Sequence, residues 1–252
     1  MAMVMVFDTE TVSIDKPFCY NVGYVIFDTD SLAIVCKKDY VIEQVWHNPM
    51  LFSTAYYAEK RPLYVSAMRS RKAVMDKWGY VMRDIARDMR EHKVQYAYAY
   101  NSPFDDKVFT FNAEWYHTNN PLDEIPVLDI RGMVSEFITN TADYKEFCEQ
   151  HELFTDSGNY SGTAEALYRY ITHDETFVEA HTALADSEIE AEILVTCLEL
   201  GAEIGKEYKV ERTIPRYNDK PFTIRIDGNV IYTGTYQKKY TREGTYSFTT
   251  KI

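Results

Sequence analysis

Five polar residues stand where their types and spacing could do chemistry. Asp8 and Glu10 lie two residues apart at the end of an apolar run, MVMVFDTE. In an extended strand side chains repeat with period two, so both carboxylates can point to one face. Two carboxylates brought together in a half-buried place repel each other and lose hydration unless a cation neutralises them. Hard oxygen donors of this kind suit Mg2+ or Mn2+. On spacing alone the pair serves equally well as a solvated strand end. Asp105 follows a second apolar run, after Asn101-Ser102-Pro103-Phe104. Ligands gather at the carboxyl ends of parallel strands, but an acid entering a helix also caps it, worth about 1 kcal/mol. Taken alone, Asp105 is more often a cap than a metal ligand, and the neighbouring Asp106, available for the cap, weakens that reading only slightly. His181 and Asp186 open the last strongly helical stretch. At about 100° per residue they converge only if His181 sits in the loop or first turn and Asp186 one turn inside. A lone histidine near a helix start is more often a surface or capping residue than a base.

Positioning these groups takes strands and helices in a definite order. Met3–Asp8 is a Val-rich run that reads as a buried strand. Cys19–Phe27 and Leu32–Ile42 flank the turn-forming Asp28-Thr29-Asp30-Ser31 and read as a hairpin, so the first three strands make an antiparallel meander. From about Ser66 to His92 the pattern is helical, with Val74, Trp78, Val81, Met82, Ile85 and Met89 on one stripe. Val94–Tyr100 returns to strand, Phe104–Phe111 is a short helix and Ile125–Leu128 another strand. Ile130–Ile138, Thr141–His151, Thr163–Ile171 and Thr182–Gly201 are helical, with Gly201 as a stop signal. This order predicts an α/β fold, a mixed sheet of meander plus parallel strands flanked by helices. Past Gly205, Phe222–Ile226 and Val230–Tyr236 flank the tight-turn signal Asp227-Gly228-Asn229, and Tyr240–Lys251 offers a further strand pair. The expected organisation is a main domain over 1–204 and a small, basic, β-rich C-terminal appendage over 205–252.

Composition bounds the function. A chain of 252 residues with 46% apolar content can bury a normal core. No run approaches the roughly 18 apolar residues of a membrane span, so no membrane partner is expected. The start, MAMVMVFDTE, lacks a basic region and a small-residue cleavage site and reads as a first strand. Cys19, Cys36, Cys148 and Cys197 form no CxxC pair, which argues against a disulfide framework or zinc knuckle and for a cytoplasmic location. A net charge of −12 argues against nonspecific coating of nucleic acid. It leaves room for a nuclease, because bound cations supply positive charge where the phosphate sits. The charge is uneven: residues 205–252 carry ten Lys/Arg against five Asp/Glu. There Lys238, Lys239 and Arg242 interleave with Tyr236, Tyr240 and Tyr246, a pattern that suits single-strand contact or a strand pair packed on an acidic body. A serine hydrolase finds no GxSxG, and a zinc protease no HExxH, since His151-Glu152 lacks a second histidine.

Taken together, FDTET at Phe7–Thr11, NSPFD at Asn101–Asp105 and HTALAD at His181–Asp186 resemble the three motifs of the DEDDh 3′→5′ exonucleases, in the same order and on matching elements. That family includes polymerase proofreading exonucleases, oligoribonuclease and related RNA trimmers. The resemblance covers Met3 to about Gly201 and implies a ribonuclease H-like sheet. It implies that Asp8, Glu10, Asp105 and Asp186 bind two divalent cations, Mg2+ or Mn2+, and that His181 is the general base of a catalytic set of five. The implied reaction releases nucleoside 5′-monophosphates from 3′ ends. Backbone groups of Thr9 and Thr11 become candidates for gripping the terminal 3′ hydroxyl, with Asn101 and Phe104 beside the substrate. The long segment between the third strand and Val94 departs from the family pattern. Its Trp46, Tyr56, Tyr57 and Tyr64 offer faces on which a base could stack, although any one of them is more often plain packing. The expected partner is a nucleic acid 3′ end, single-stranded DNA favoured and RNA the alternative. A homodimer, and a non-catalytic binding module on the same fold, are further readings.

Overall fold

Alternating side chains on the first strand sort the fold into two helical layers. In the computed structural model, residues 2–155, 158–210, 219–226, 229–240 and 246–250 are described. The elements run β1 Met3–Thr11, β2 Cys19–Asp28, β3 Ile34–Ile42, α1 Glu43–Trp46, α2 Pro49–Phe52, α3 Arg61–Arg69, β4 Val74–Asp76, α4 Trp78–Glu91 and β5 Tyr96–Ala99. They continue with α5 Ser102–Tyr116, β6 Val127–Asp129, α6 Ile130–Val134, α7 Ala142–Gln150, α8 Ala164–Thr172, α9 Ala183–Glu199, β7 Asp219–Ile226, β8 Asn229–Tyr240 and β9 Tyr246–Thr250. Contacts divide the chain into two units, Met1–Ile138 with Thr163–Val210, and Thr139–Gly162 with Glu211–Ile252.

The first unit holds a six-stranded mixed sheet ordered β4-β3-β2-β1-β5-β6. β1, β2 and β3 form the antiparallel meander, β5 and β6 extend it in parallel beside β1, and β4 lies parallel to β3. Met5 and Phe7 of β1 point into a core shared with Trp78, Val81 and Ile85 of α4 and Val108 and Phe109 of α5. The Phe7 and Phe109 rings meet edge-to-face at 5.4 Å. α9 packs on β1 and β2, with α6 and α8 beside it. The β2–β3 turn forms as its composition predicts, with Asp28 Oδ1 accepting from the amides of Asp30 at 2.8 Å and Ser31 at 3.1 Å.

One expectation changes in this unit, and one alternative closes. The helical stripe does not begin at Val74: Val74–Asp76 is a strand in register with Tyr40–Ile42, and the helix starts at Trp78. Lys77 is extended (φ −74°, ψ 146°), and Gln44 Oε1 accepts from the Trp78 amide at 3.0 Å. The unpaired edge of β3 recruits a β-branched residue that helical spacing alone assigned elsewhere. Trp46 and Tyr64 are buried and offer no base a stacking face. They close a cluster with Tyr20 and Phe52, whose ring centroids lie 5.0 to 6.0 Å apart. Gly205 also lies in this unit, its amide donating to the Tyr98 hydroxyl at 2.9 Å.

In the second unit, β7, β8 and β9 form an antiparallel sheet. Ile226 pairs with Asn229 at the end of the β7–β8 ladder. Asp227, Gly228 and Arg242 lie outside the described residues. In α7, Tyr144 and Cys148 are fully buried, and the Tyr144 hydroxyl donates to Ser161 O at 2.9 Å. Among the described residues no helix is long and apolar enough to cross a membrane.

Candidate active site

The site forms where α9 meets the sheet. Across the β1–β2 ladder Asp8 pairs with Gly23 and Glu10 with Asn21. A Cβ on Gly23 would lie 2.1 Å from Leu184 N and 2.2 Å from the Ala183 carbonyl carbon, so the first turn of α9 rests directly on strand backbone. Only glycine permits that approach. Side chains then fasten the turn. The Ala183 amide donates to Asn21 Oδ1 at 2.8 Å, and Ser187 Oγ lies 3.0 Å from Gly23 O and 2.7 Å from Ala183 O. Asn21 Nδ2 donates in turn to Asp39 Oδ1 and to Tyr40 O at 2.9 Å. Asn21 and Ser187 are fully buried, so each needs these partners.

This docking carries Asp186 onto the β1 acids. Asp8, Glu10 and Asp186 each offer a carboxylate oxygen, and the three oxygens lie within 4.8 Å of one another. Burial pushes Asp8 up to about 7, with the Glu179 charge adding to it. Burial likewise pushes Asp186 up to about 9, helped by Asp8 and Glu179. Glu10 is raised well above the carboxylate range by burial, then by Asp8 and Asp186, while the Tyr20 hydroxyl donating to its Oε2 at 3.4 Å opposes the shift. Asp186 Oδ1 is buried with no hydrogen-bond partner among the described residues. A divalent cation relieves burial, repulsion and the orphaned oxygen together, and an all-oxygen donor set fits Mg2+ or Mn2+.

Asp105 arrives from the other layer. Thr9 faces α5, and Asp105 Oδ1 accepts from Thr9 N at 3.1 Å and Thr9 Oγ1 at 2.6 Å. Burial and then Asp8 raise its pKa well above the usual range, against those two bonds. The Thr9 amide is therefore engaged by Asp105. Thr11 Oγ1 donates to Ser13 O at 3.3 Å. Asn101 is exposed in a left-handed turn (φ 70°), with its amide donating to Asp129 Oδ1 and its Oδ1 accepting from Arg131, both at 2.9 Å. Phe104 is half-buried against the main core.

His181 lies in the loop just before α9, at φ 51°, and Asp186 lies in the first turn. The imidazole stacks on Tyr57, with ring centroids 4.4 Å apart and planes 11° from parallel. Nδ1 is 3.7 Å from Glu179 Oε2, and Glu179, His181 and Asp186 bring ligand atoms within 4.8 Å of one another. Burial and then the Lys60 charge hold the imidazole pKa below its ordinary value. A neutral imidazole at pH 7 can accept a proton.

Neither a protein-family model nor a curated protein sequence matches the chain. Solved structures do. The nuclease domain of 3′hExo, a DEDDh family member bound to rAMP, is 13% identical over 84% of this chain and 97% of that one, at TM-score 0.54. A 3′-exonuclease seen in 3′-end-specific recognition of a histone mRNA stem-loop is 12% identical over 79% and 82%, at TM-score 0.55. E. coli Exonuclease I with a dT13 oligonucleotide is 14% identical, at TM-score 0.50, over 78% of this chain and 41% of that one. The chain has a DEDDh exonuclease-like fold.

Several groups around this site carry no motif that singles them out in the sequence. Lys60 and Glu165 set the charge around His181, Lys60 lowering its pKa and Glu165 raising it, and Glu179 Oε2 stands 3.7 Å from Nδ1. Glu190, one turn beyond Asp186, is 4% exposed and accepts from the Tyr100 amide at 3.1 Å. Burial, then Asp8 and Asp105, raise its pKa well above the carboxylate range. Gly23 had a legible signal, since a glycine inside an apolar strand marks a close backbone approach. Lys60 and Glu190 had none, because a lysine in a mixed segment and a glutamate on a helix are ordinarily solvated.

Proposed function

We propose that the protein is a metal-dependent 3′→5′ exonuclease that releases nucleoside 5′-monophosphates, with single-stranded DNA 3′ ends as the favoured substrate. The observation that carries the reading is the Asp8, Glu10 and Asp186 cluster, with one buried Asp186 oxygen that has no partner among the described residues. Asp8, Glu10, Asp105 and Asp186 would hold two divalent cations. Bound there, such cations supply Lewis acidity to a phosphodiester and lower the pKa of water. His181, kept neutral, accepts the proton of the attacking water. Tyr57 covers one face of that imidazole, and the tight docking of α9 on Gly23 fixes the spacing between Asp186 and the β1 acids.

An exoribonuclease is the second reading. It is favoured by the two neighbours of higher TM-score, whose names carry rAMP and a histone mRNA stem-loop, against the dT13 oligonucleotide of Exonuclease I. One experiment tests both. Matched single-stranded DNA, duplex DNA and short RNA, labelled at either end, are incubated with Mg2+ or Mn2+ and with EDTA. Mononucleotide release from the 3′ end in metal and none in EDTA is the expected result, and the faster substrate separates the readings. Binding without turnover in either metal would leave a non-catalytic module.

A further inference from the structure

The segment between β3 and β4 sends two side chains to the histidine loop. Tyr57 lies face to face with His181 at 4.4 Å. Lys60 donates to Ala180 O at 2.5 Å, the carbonyl just before His181, and its ammonium sits 4.6 Å from the Tyr57 ring centroid. His181 has φ 51°, a left-handed conformation that a residue with a β-carbon keeps only when its surroundings over-determine it. Lys60 secures the loop upstream, and the Asn21 bond to the Ala183 amide secures it downstream. Neither bond sets the ring plane. Glu179 Oε2, 3.7 Å from Nδ1, is beyond hydrogen-bond distance. The stack sets the plane.

We propose that Tyr57 and Lys60 are positioning residues for His181, Lys60 fixing the backbone turn and Tyr57 the orientation of the imidazole beside Asp186. This role rests on the reading of His181 as the base. The Lys60 contact on the Tyr57 ring couples the two, so that loss of either loosens the other. Tyr57 is half-buried, so its replacement leaves the sheet and both helical layers their own contacts.

The test uses the full chain with Tyr57→Leu, Tyr57→Phe and Lys60→Met, each alone and with His181→Ala. The first readout is the His181 ring-proton resonances of the metal-free protein, which a stacked tyrosine shifts upfield. They are expected to move downfield in Tyr57→Leu and to stay in Tyr57→Phe. The second readout is the split between kcat and KM. Tyr57→Leu and Lys60→Met are expected to lower kcat roughly 10–100-fold, the scale of a misplaced catalytic group, with KM within about twofold. Tyr57→Phe, which keeps the ring, recovers kcat. On His181→Ala neither substitution should lower kcat further. Unmoved resonances in Tyr57→Leu, or a loss of kcat that persists in full without His181, overturns the proposal. A wild-type chain without nuclease activity would sink the exonuclease reading by itself, while the resonances still decide the stack.

Discussion

Gly23 stands opposite Asp8 in the β1–β2 ladder, and the Leu184 amide fills the place that a Gly23 side chain would take. A single missing methyl therefore sets how far Asp186 stands from Asp8 and Glu10. Gly23→Ala forces backbone against backbone and is expected to destabilise by about 1–3 kcal/mol, the usual cost of overpacking. It should also lower turnover, because α9 must shift outward. Urea unfolding and cleavage of a labelled oligonucleotide measure the two effects. Wild-type values in both would mean that α9 does not rest on this strand.

The acids give a pH dependence with a definite sign. Folded Asp8 and Asp186 titrate near 7 and 9, against an ordinary 3.8. Between those limits the metal-free folded chain binds more protons than the unfolded one, so its stability falls as pH rises. In EDTA the melting temperature should drop from pH 5 to pH 9. Asp8→Asn and Asp186→Asn should flatten that slope, and Mg2+ or Mn2+ should restore the wild type at pH 8 but not the variants. An unchanged slope in both variants would remove these residues from the charged cluster.

His181→Ala is expected to lower kcat roughly 10²–10⁴-fold, the weight of a positioned acid–base group, with little change in KM. The acidic limb of the wild-type pH–rate profile should fall below the ordinary histidine value, because burial and Lys60 disfavour the protonated ring. Below that lowered pKa the imidazole is charged and cannot accept a proton. Tight loss of binding with normal single-turnover chemistry would contradict the base assignment.

Polarity is a separate matter. A bulky block on the 3′ end should protect a substrate, and the same block on the 5′ end should not. Fast cutting of a circular single strand would point to an endonuclease on this scaffold.

The periodic parts of the fold were legible in the sequence. The meander follows from the apolar and β-rich runs around Asp28–Ser31, and α9 from the helical stretch Thr182–Gly201. β4 was not legible, because three residues of strand at Val74–Asp76 continue the spacing of the helix that follows. What decides them is the free edge of β3, which no local window contains. The same limit applies within the site. Asp8 and Glu10 announce themselves by period two. The bond from Thr9 to Asp105, the stack of Tyr57 on His181 and the reach of Lys60 to Ala180 join residues far apart in the chain. Composition left Trp46 and Tyr64 open as base platforms, with packing the commoner role, and the contacts with Tyr20 and Phe52 make them core.

The four acids do not come from one side of the sheet. Asp186 descends from α9 onto the face that carries Asp8 and Glu10, while Asp105 rises on α5 to meet Thr9 on the opposite face. A nascent or clipped chain with only one layer docked holds an incomplete set of acids. Under the proposed chemistry, such a chain is harmless to nucleic acid. On that chemistry, cutting power would depend on both layers being docked, and so on finished folding.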